Sequence, residues 1–167
     1  NKEFAPLVQV VQDLIVEGCT LFCGASKIGK SWGMMQLAAA VSAGEPVWGR
    51  PTTKGAVLYM ALEDSARRLQ YRLGKMGITP NENLNFQTQT ITLAGGLVNA
   101  LEGWIQAHAD ARLIILDTLQ KVRGPAPARA NAYALDYEFI SPLKALADKY
   151  HIAVVLIHHL SKRDADD

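Results

Sequence analysis

The 167-residue sequence lacks features that mark several other classes of protein. It contains no run of the roughly 18 consecutive apolar residues that a membrane-spanning helix needs. Its 17 basic and 16 acidic side chains leave a formal net charge of +1. This balance argues against a basic protein that coats nucleic acid and against an acidic disordered tail. No signal peptide is visible at the start, which also lacks Met. We therefore expect a cytoplasmic protein, and a chain that is an excised or processed piece.

Cysteine is scarce, with only Cys19 and Cys23 present. Both lie in one predicted strand, where four residues at about 3.3 Å each separate them by about 13 Å. A disulfide needs Cα atoms less than about 7 Å apart, so these two cysteines should not pair. We predict two buried, reduced thiols.

What the sequence does have is apolar residues, which make up 49% of the chain and suffice for one domain core. Strand patterns alternate with helix patterns, and this alternation predicts an α/β fold with a mostly parallel sheet sandwiched between helices. We predict buried strands at 20–24, 57–62, 112–117 and 152–157, and a weaker strand at 84–88. Helices are predicted at 30–43, from 64 or 65 to 73, at 97–109 and at 133–150. We also predict a long loop at 119–132 and a mobile tail at 161–167.

The most specific pattern is the stretch Gly24-Ala25-Ser26-Lys27-Ile28-Gly29-Lys30-Ser31, which matches G-x-x-x-x-G-K-[ST] in full. It lies between a predicted strand and a predicted helix, as a phosphate-binding loop requires. Glycines allow the loop to curl so that successive backbone N–H groups point at a polyphosphate. Lys30 would reach the β- and γ-phosphates, and the Ser31 hydroxyl would bind Mg²⁺. The sequence therefore predicts binding of ATP with Mg²⁺.

Carboxylates follow two of the predicted strands. Asp117 ends the apolar run 113–116, where it can hold Mg²⁺ directly or through water; the alternative is an Asp that starts a turn. Glu63 and Asp64 follow the strand 57–62, at the strand edge where open α/β sheets bind ligands. We interpret Glu63 as the base that activates water and Asp64 as a helix cap.

Two histidines, His158 and His159, end the last predicted strand. Adjacent strand residues point to opposite faces, so these imidazoles do not easily hold one metal ion. We interpret them instead as groups that bond the γ-phosphate or the attacking water and sense the nucleotide.

The motifs together resemble the RecA-like ATPases of the RepA type, which are hexameric helicase-like proteins of plasmids and phages. The matching stretches run in order along the chain and are EGCTL at 17–21, the phosphate loop, ALEDS at 61–65, LIILDTLQ at 113–120, SPLKALA at 141–147 and IHHLSK at 157–162.

This resemblance implies a RecA-like fold, hydrolysis of Mg·ATP, a hexameric ring and a role in DNA replication. It implies Glu63 as the catalytic glutamate, Asp117 as the Mg²⁺-associated aspartate, and a γ-phosphate sensor near His159. It also implies single-stranded DNA contacts from loops whose basic residues here are Lys121, Arg123, Arg129, Lys162 and Arg163. In that family further strands and an arginine finger follow the region matched here, and we expect them to be absent from this chain.

Two alternatives stay open at this stage. One is a P-loop kinase for a small molecule, which would need its own basic clamp; Arg67, Arg68 and Arg72 are available but are predicted to form a solvated helix face. The other is an ATP-gated assembly or regulatory module without strand separation. Near-neutral charge and few aromatic residues near the basic loops keep this second alternative open.

Overall fold

The computed structural model describes residues 3–125 and 132–160. The elements in chain order are the strands β1 (Gln9–Val11), β2 (Ile15–Val16) and β3 (Gly18–Ala25), helix α1 (Lys30–Ala43), strand β4 (Ala56–Ala61), helix α2 (Ala66–Lys75), strand β5 (Leu84–Gln87), helix α3 (Leu97–Ala107), strand β6 (Ala111–Asp117), helices α4 (Leu119–Arg123) and α5 (Ala132–Tyr150), and strand β7 (Ala153–Leu160). No helix within the described ranges is both long and apolar enough to cross a membrane.

Five strands form one parallel sheet in the order β3-β7-β6-β4-β5, and β1 and β2 form a separate small hairpin. Helices α1 and α2 cover one face of the sheet, and α3, α4 and α5 cover the other. The three central strands are buried on both faces, which explains their nearly continuous apolar sequence. The predicted α/β sandwich is therefore confirmed.

Strand β3, which leads into the phosphate loop, differs from its prediction as a buried strand. It lies at the edge of the sheet, and Leu21 and Phe22 are 45% and 38% exposed. Cys23 is also exposed, so the prediction of two buried thiols is wrong for this residue. Cys19 is half-buried, and desolvation by burial raises its pKa to about 11. An apolar run shows that a strand can be buried but does not show its place in the sheet.

Two segments near the carboxyl edge also differ from the sequence prediction. The predicted loop at 119–132 begins with the short helix α4, which Leu119 and Val122 anchor in the core. Strand β7 continues to Leu160, so both histidines belong to the strand itself. The predicted mobile tail at 161–167 lies outside the described residues.

The ends of α1 and α2 follow from local chemistry. Gly29 precedes α1 with a φ of +88°, and Gly44 ends α1 with a φ of +73° while its N–H reaches the carbonyls of the last turn. The Ser65 hydroxyl accepts from the Arg68 N–H and caps α2. The interpretation of Asp64 as the helix cap is therefore wrong, and Ser65 is the cap.

Candidate nucleotide-binding site

A cavity of about 450 Å³ opens at the carboxyl edge of the parallel sheet. Three parts of the chain line this cavity: the phosphate loop with the start of α1, the β4–α2 turn with α2, and the ends of β6 and β7. The lining residues are Ser26, Lys27, Gly29, Lys30, Ser31, Trp32, Glu63, Asp64, Arg68, Arg72, Asp117 and His159. The predicted loop, carboxylates and one histidine are thus brought together at one place.

The phosphate loop is shaped by its glycines and held by its lysine. The ammonium of Lys30 donates to the carbonyl oxygen of Gly24 at 2.6 Å and to that of Ala25. A Cβ on Gly24 would lie 2.8 Å from the end of the Ile28 side chain and 3.4 Å from Lys30. A side chain at Gly24 would therefore require the exposed Ile28 side chain to move, and the Lys30 side chain lies directly beside the curled backbone.

Asp117 is placed by the buried end of β6 and is only 4% exposed. The hydroxyl of Tyr59, on β4, donates to Asp117 Oδ2 at 2.7 Å and lies 3.3 Å from the Ser31 carbonyl oxygen. Burial, and then the charge of Asp117, raise the pKa of Tyr59 well above its ordinary value. The phenol is therefore protonated and acts as a donor toward this carboxylate. Sequence reasoning missed Tyr59, because it reads as one more core residue of an apolar strand.

Glu63 follows β4 and reaches across the carboxyl ends of the neighbouring strands. The Thr118 hydroxyl donates to Glu63 Oε1 at 3.3 Å, and His159 Nε2 lies 3.5 Å from Glu63 Oε2. The side chain is 45% exposed, so water can reach it. The Thr118 hydroxyl thus orients the carboxylate from one side, His159 lies near it on another, and part of it stays open to the cavity.

The two histidines have different surroundings, as their alternation along β7 requires. His159 lines the cavity, and its Nδ1 is buried with no partner among the described residues. His158 Nδ1 lies 3.0 Å from the side-chain nitrogen of Gln120, which also donates to the His159 carbonyl oxygen at 3.1 Å. The structure therefore places His159, and not His158, on the cavity wall.

The prediction that Arg67, Arg68 and Arg72 form a solvated helix face is wrong for Arg72, whose side chain is 24% exposed, whereas Arg67 and Arg68 are exposed. Arg72 Nη1 lies 2.7 Å from Asp64 Oδ2, and Arg68 Nη1 lies 3.8 Å from Oδ1. Burial raises the pKa of the Asp64 carboxyl, and the charge of Arg72 opposes this rise. The spacing of four and eight residues from Asp64 puts both arginines on its side of the helix, which is the sequence signal for this cluster.

The predicted DNA-contacting residues are only partly described. Lys121 and Arg123 lie on α4, which follows β6 directly, and Lys121 is exposed. Arg129, Lys162 and Arg163 lie outside the described residues.

The cavity residues fit a nucleotide with Mg²⁺. Hydroxyl and carboxylate oxygens, as on Ser31 and Asp117, are ligands that Mg²⁺ prefers. In the part of the chain that the structure describes, no group of three or more His, Cys, Asp or Glu residues could hold a metal alone. Protein sites hold Mg²⁺ through one or two side chains together with phosphate oxygens and water, and Ser31 and Asp117 are side chains of that kind.

The parallel sheet, the phosphate loop and the acidic strand ends define the class of protein as a RecA-like P-loop ATPase. The sequence matches the family described as "AAA domain" over residues 1–165, and the chain belongs to this family. No curated protein matches the sequence significantly.

Among solved structures, the fold is similar to that of a domain described as an "ATPase Domain" in another protein. The TM-score is 0.65 at 15% sequence identity, and the match covers 90% of this chain. The chain spans 60% of the length of that structure, so the similarity concerns the fold of this part.

Proposed function

We propose that this chain is a single RecA-like domain that binds ATP with Mg²⁺ and hydrolyses it, as the ATPase part of a RepA-type DNA motor in plasmid, phage or mobile-element replication. The observation that carries the proposal is the meeting of Lys30, Asp117 and Glu63 at one cavity, although they come from three separate segments. A phosphate loop that faces two carboxylates has both the positively charged lysine and the acid–base groups that hydrolysis of a nucleoside triphosphate needs.

Hydrolysis requires a water molecule in line with the bond between the γ-phosphorus and its bridging oxygen. Glu63 accepts a proton from this water while the water oxygen attacks the γ-phosphorus. The bond to the bridging oxygen breaks, and ADP leaves with the electron pair. Thr118 and His159 hold the Glu63 carboxylate in place for this step.

Charge builds on the phosphate oxygens during the reaction, and Lys30 lies where it can neutralise part of it. Ser31 and Asp117 would hold Mg²⁺, which supplies further neutralisation when it is bound. His159 is placed to bond the γ-phosphate and so to distinguish ATP from ADP. Its contact with Glu63 would link that sensing to the catalytic carboxylate.

The wider role rests on resemblance and on the position of α4. We propose a hexameric ring in the cytoplasm that binds single-stranded DNA through Lys121 and Arg123 on α4, together with Arg129, Lys162 and Arg163. Because β6 carries Asp117 at its end and α4 begins two residues later, a change at the nucleotide can be passed directly to the basic residues of α4.

An ATP-gated assembly that does not separate strands is the second candidate. The formal net charge of +1 favours it, because a DNA motor usually shows a stronger basic surface. Of the three arginines that the kinase alternative would use as a basic clamp, Arg72 already pairs with Asp64, and this pairing counts against that alternative.

The experiment that tests the proposal measures ATP binding and turnover for the chain and for Lys30→Ala and Glu63→Gln. We expect Lys30→Ala to lose nucleotide affinity, and Glu63→Gln to bind ATP but lose turnover. The matched control is Glu82→Gln, because Glu82 is exposed and remote in sequence from every motif. Normal turnover by Glu63→Gln would contradict its assignment as the base.

The same assays with single-stranded DNA separate the motor from the assembly module. A motor should show turnover that rises with DNA. An assembly that forms with ATP but neither binds nor responds to DNA would support the second candidate. Turnover that rises with a small phosphate acceptor would instead indicate a kinase.

A further inference from the structure

Tyr59 occupies an unusual position for a tyrosine. Its ring is fully buried in the middle of β4, on the sheet face that α1 covers. Its hydroxyl lies 2.7 Å from Asp117 Oδ2 and 3.3 Å from the Ser31 carbonyl oxygen. One buried phenol therefore touches both residues that would hold the cation.

The register of the sheet explains this contact. Ala61 lies opposite Asp117, so Tyr59 is the diagonal neighbour two residues earlier on the same face. Only a long side chain reaches across this diagonal, and Tyr59 does so while its ring packs against Phe86 with centroids 5.7 Å apart. A phenylalanine would fill the same space without a buried hydroxyl that needs a partner. The hydroxyl is thus used for its hydrogen bond and not for packing.

We propose that Tyr59 is a positioning residue for the divalent cation. Its hydroxyl donates its one proton to the Asp117 carboxylate and so fixes the rotation of that carboxylate, beside the first turn of α1 where Ser31 lies. The inference rests on the proposed function and adds to it a residue outside the phosphate loop and the strand ends. Groups that orient a metal ligand in this way typically contribute 10- to 100-fold to metal affinity or activity.

The test measures Mn²⁺ affinity by electron paramagnetic resonance, in the presence of a non-hydrolysable ATP analogue. We expect Tyr59→Phe to weaken Mn²⁺ affinity about 10-fold. Affinity for the same analogue in EDTA should stay unchanged, because the ring still fills its site. Tyr71→Phe is the matched control, since Tyr71 is 63% exposed on α2 and its hydroxyl serves no buried carboxylate in the described structure. It should leave both affinities unchanged.

A double-mutant cycle separates positioning from a general loss of packing. If Tyr59 acts through the Asp117 carboxylate, Tyr59→Phe should have little further effect on Mn²⁺ affinity in the Asp117→Asn background. Unchanged Mn²⁺ affinity in Tyr59→Phe would overturn the inference, as would an equal loss in both backgrounds. A chain that binds no nucleotide at all would overturn the proposed function first, and this inference with it.

Discussion

The ion pair between Asp64 and Arg72, on the cavity wall, allows a test of how much one buried contact contributes to the free energy of unfolding. The Asp64 side chain is 5% exposed and that of Arg72 is 24% exposed, with 2.7 Å between their charged atoms. Arg72→Met keeps the length of the side chain but leaves the carboxylate without its nearest partner. Removing one member of a fully buried pair costs about 3–5 kcal/mol. Because Arg72 is partly exposed and Arg68 remains 3.8 Å away, we expect about 1–3 kcal/mol here.

Urea denaturation should show this loss as a lower free energy of unfolding with an unchanged slope. In thermal melts, each kcal/mol corresponds to about 2–4 °C for a chain of this size. Arg67→Met is the matched control, because it is the same change at an exposed position of the same helix. It should shift stability by less than about 0.5 kcal/mol.

The pH dependence gives a second measurement of the same pair. Burial already raises the pKa of Asp64, and loss of Arg72 removes the charge that opposes this rise. The folded variant then holds its proton more tightly than the unfolded chain does. The loss in free energy of unfolding should therefore be small near pH 4, grow as the pH rises toward the pKa of Asp64 in the folded variant, and level off above that pKa. A penalty that is independent of pH, or that persists in the Asp64→Asn background, would refute this reasoning.

Three further predictions concern other parts of the molecule. A Cβ on Gly55 would lie within 2.3 Å of a side-chain carbon and a backbone oxygen, so Gly55→Ala should lower the free energy of unfolding by about 1–3 kcal/mol. Gly103 lies in open space on α3, so Gly103→Ala should raise the free energy of unfolding by up to about 1 kcal/mol. Iodoacetamide at pH 8 should modify exposed Cys23 well before Cys19, whose raised pKa leaves little thiolate; equal rates in mass spectrometry would contradict this. ATP should change the fluorescence of Trp32, which is 39% exposed on the cavity wall, and Trp32→Phe should remove most of the change.

The parallel sheet and the helix that follows the phosphate loop could be predicted from local pattern. Buried strands such as β6 are apolar on both faces, and α1 begins at Lys30 as the motif requires. The edge position of β3 could not be predicted in this way. Strand order depends on pairings between distant segments, and the apolar run at 20–24 carries no sign of having one neighbour instead of two.

The candidate site was predictable where single residues carry the chemistry. Motif spacing identified Lys30, and position at a strand end identified Asp117 and Glu63. Tyr59 and Arg72 were missed because their roles come from partners 58 and 8 residues away. A tyrosine in a core strand is common, and only the folded chain shows that Tyr59 meets Asp117. For Arg72 the eight-residue spacing from Asp64 was a signal, but arginines at such spacings on a helix are common, and the spacing alone did not single out this pair.

The pairing of β3 with β7 couples two ends of the cavity through the backbone. Gly24 lies opposite His159 on one rung of this ladder, and Cys23 lies opposite His158 on the rung before. In the described structure β7 is the only strand that pairs with β3, so the first residue of the phosphate loop and the histidines share the same few hydrogen bonds. Local fraying of this sheet edge would displace Gly24 and His159 together, and would therefore disturb the proposed binding of the nucleotide and the proposed sensing of it in a single event.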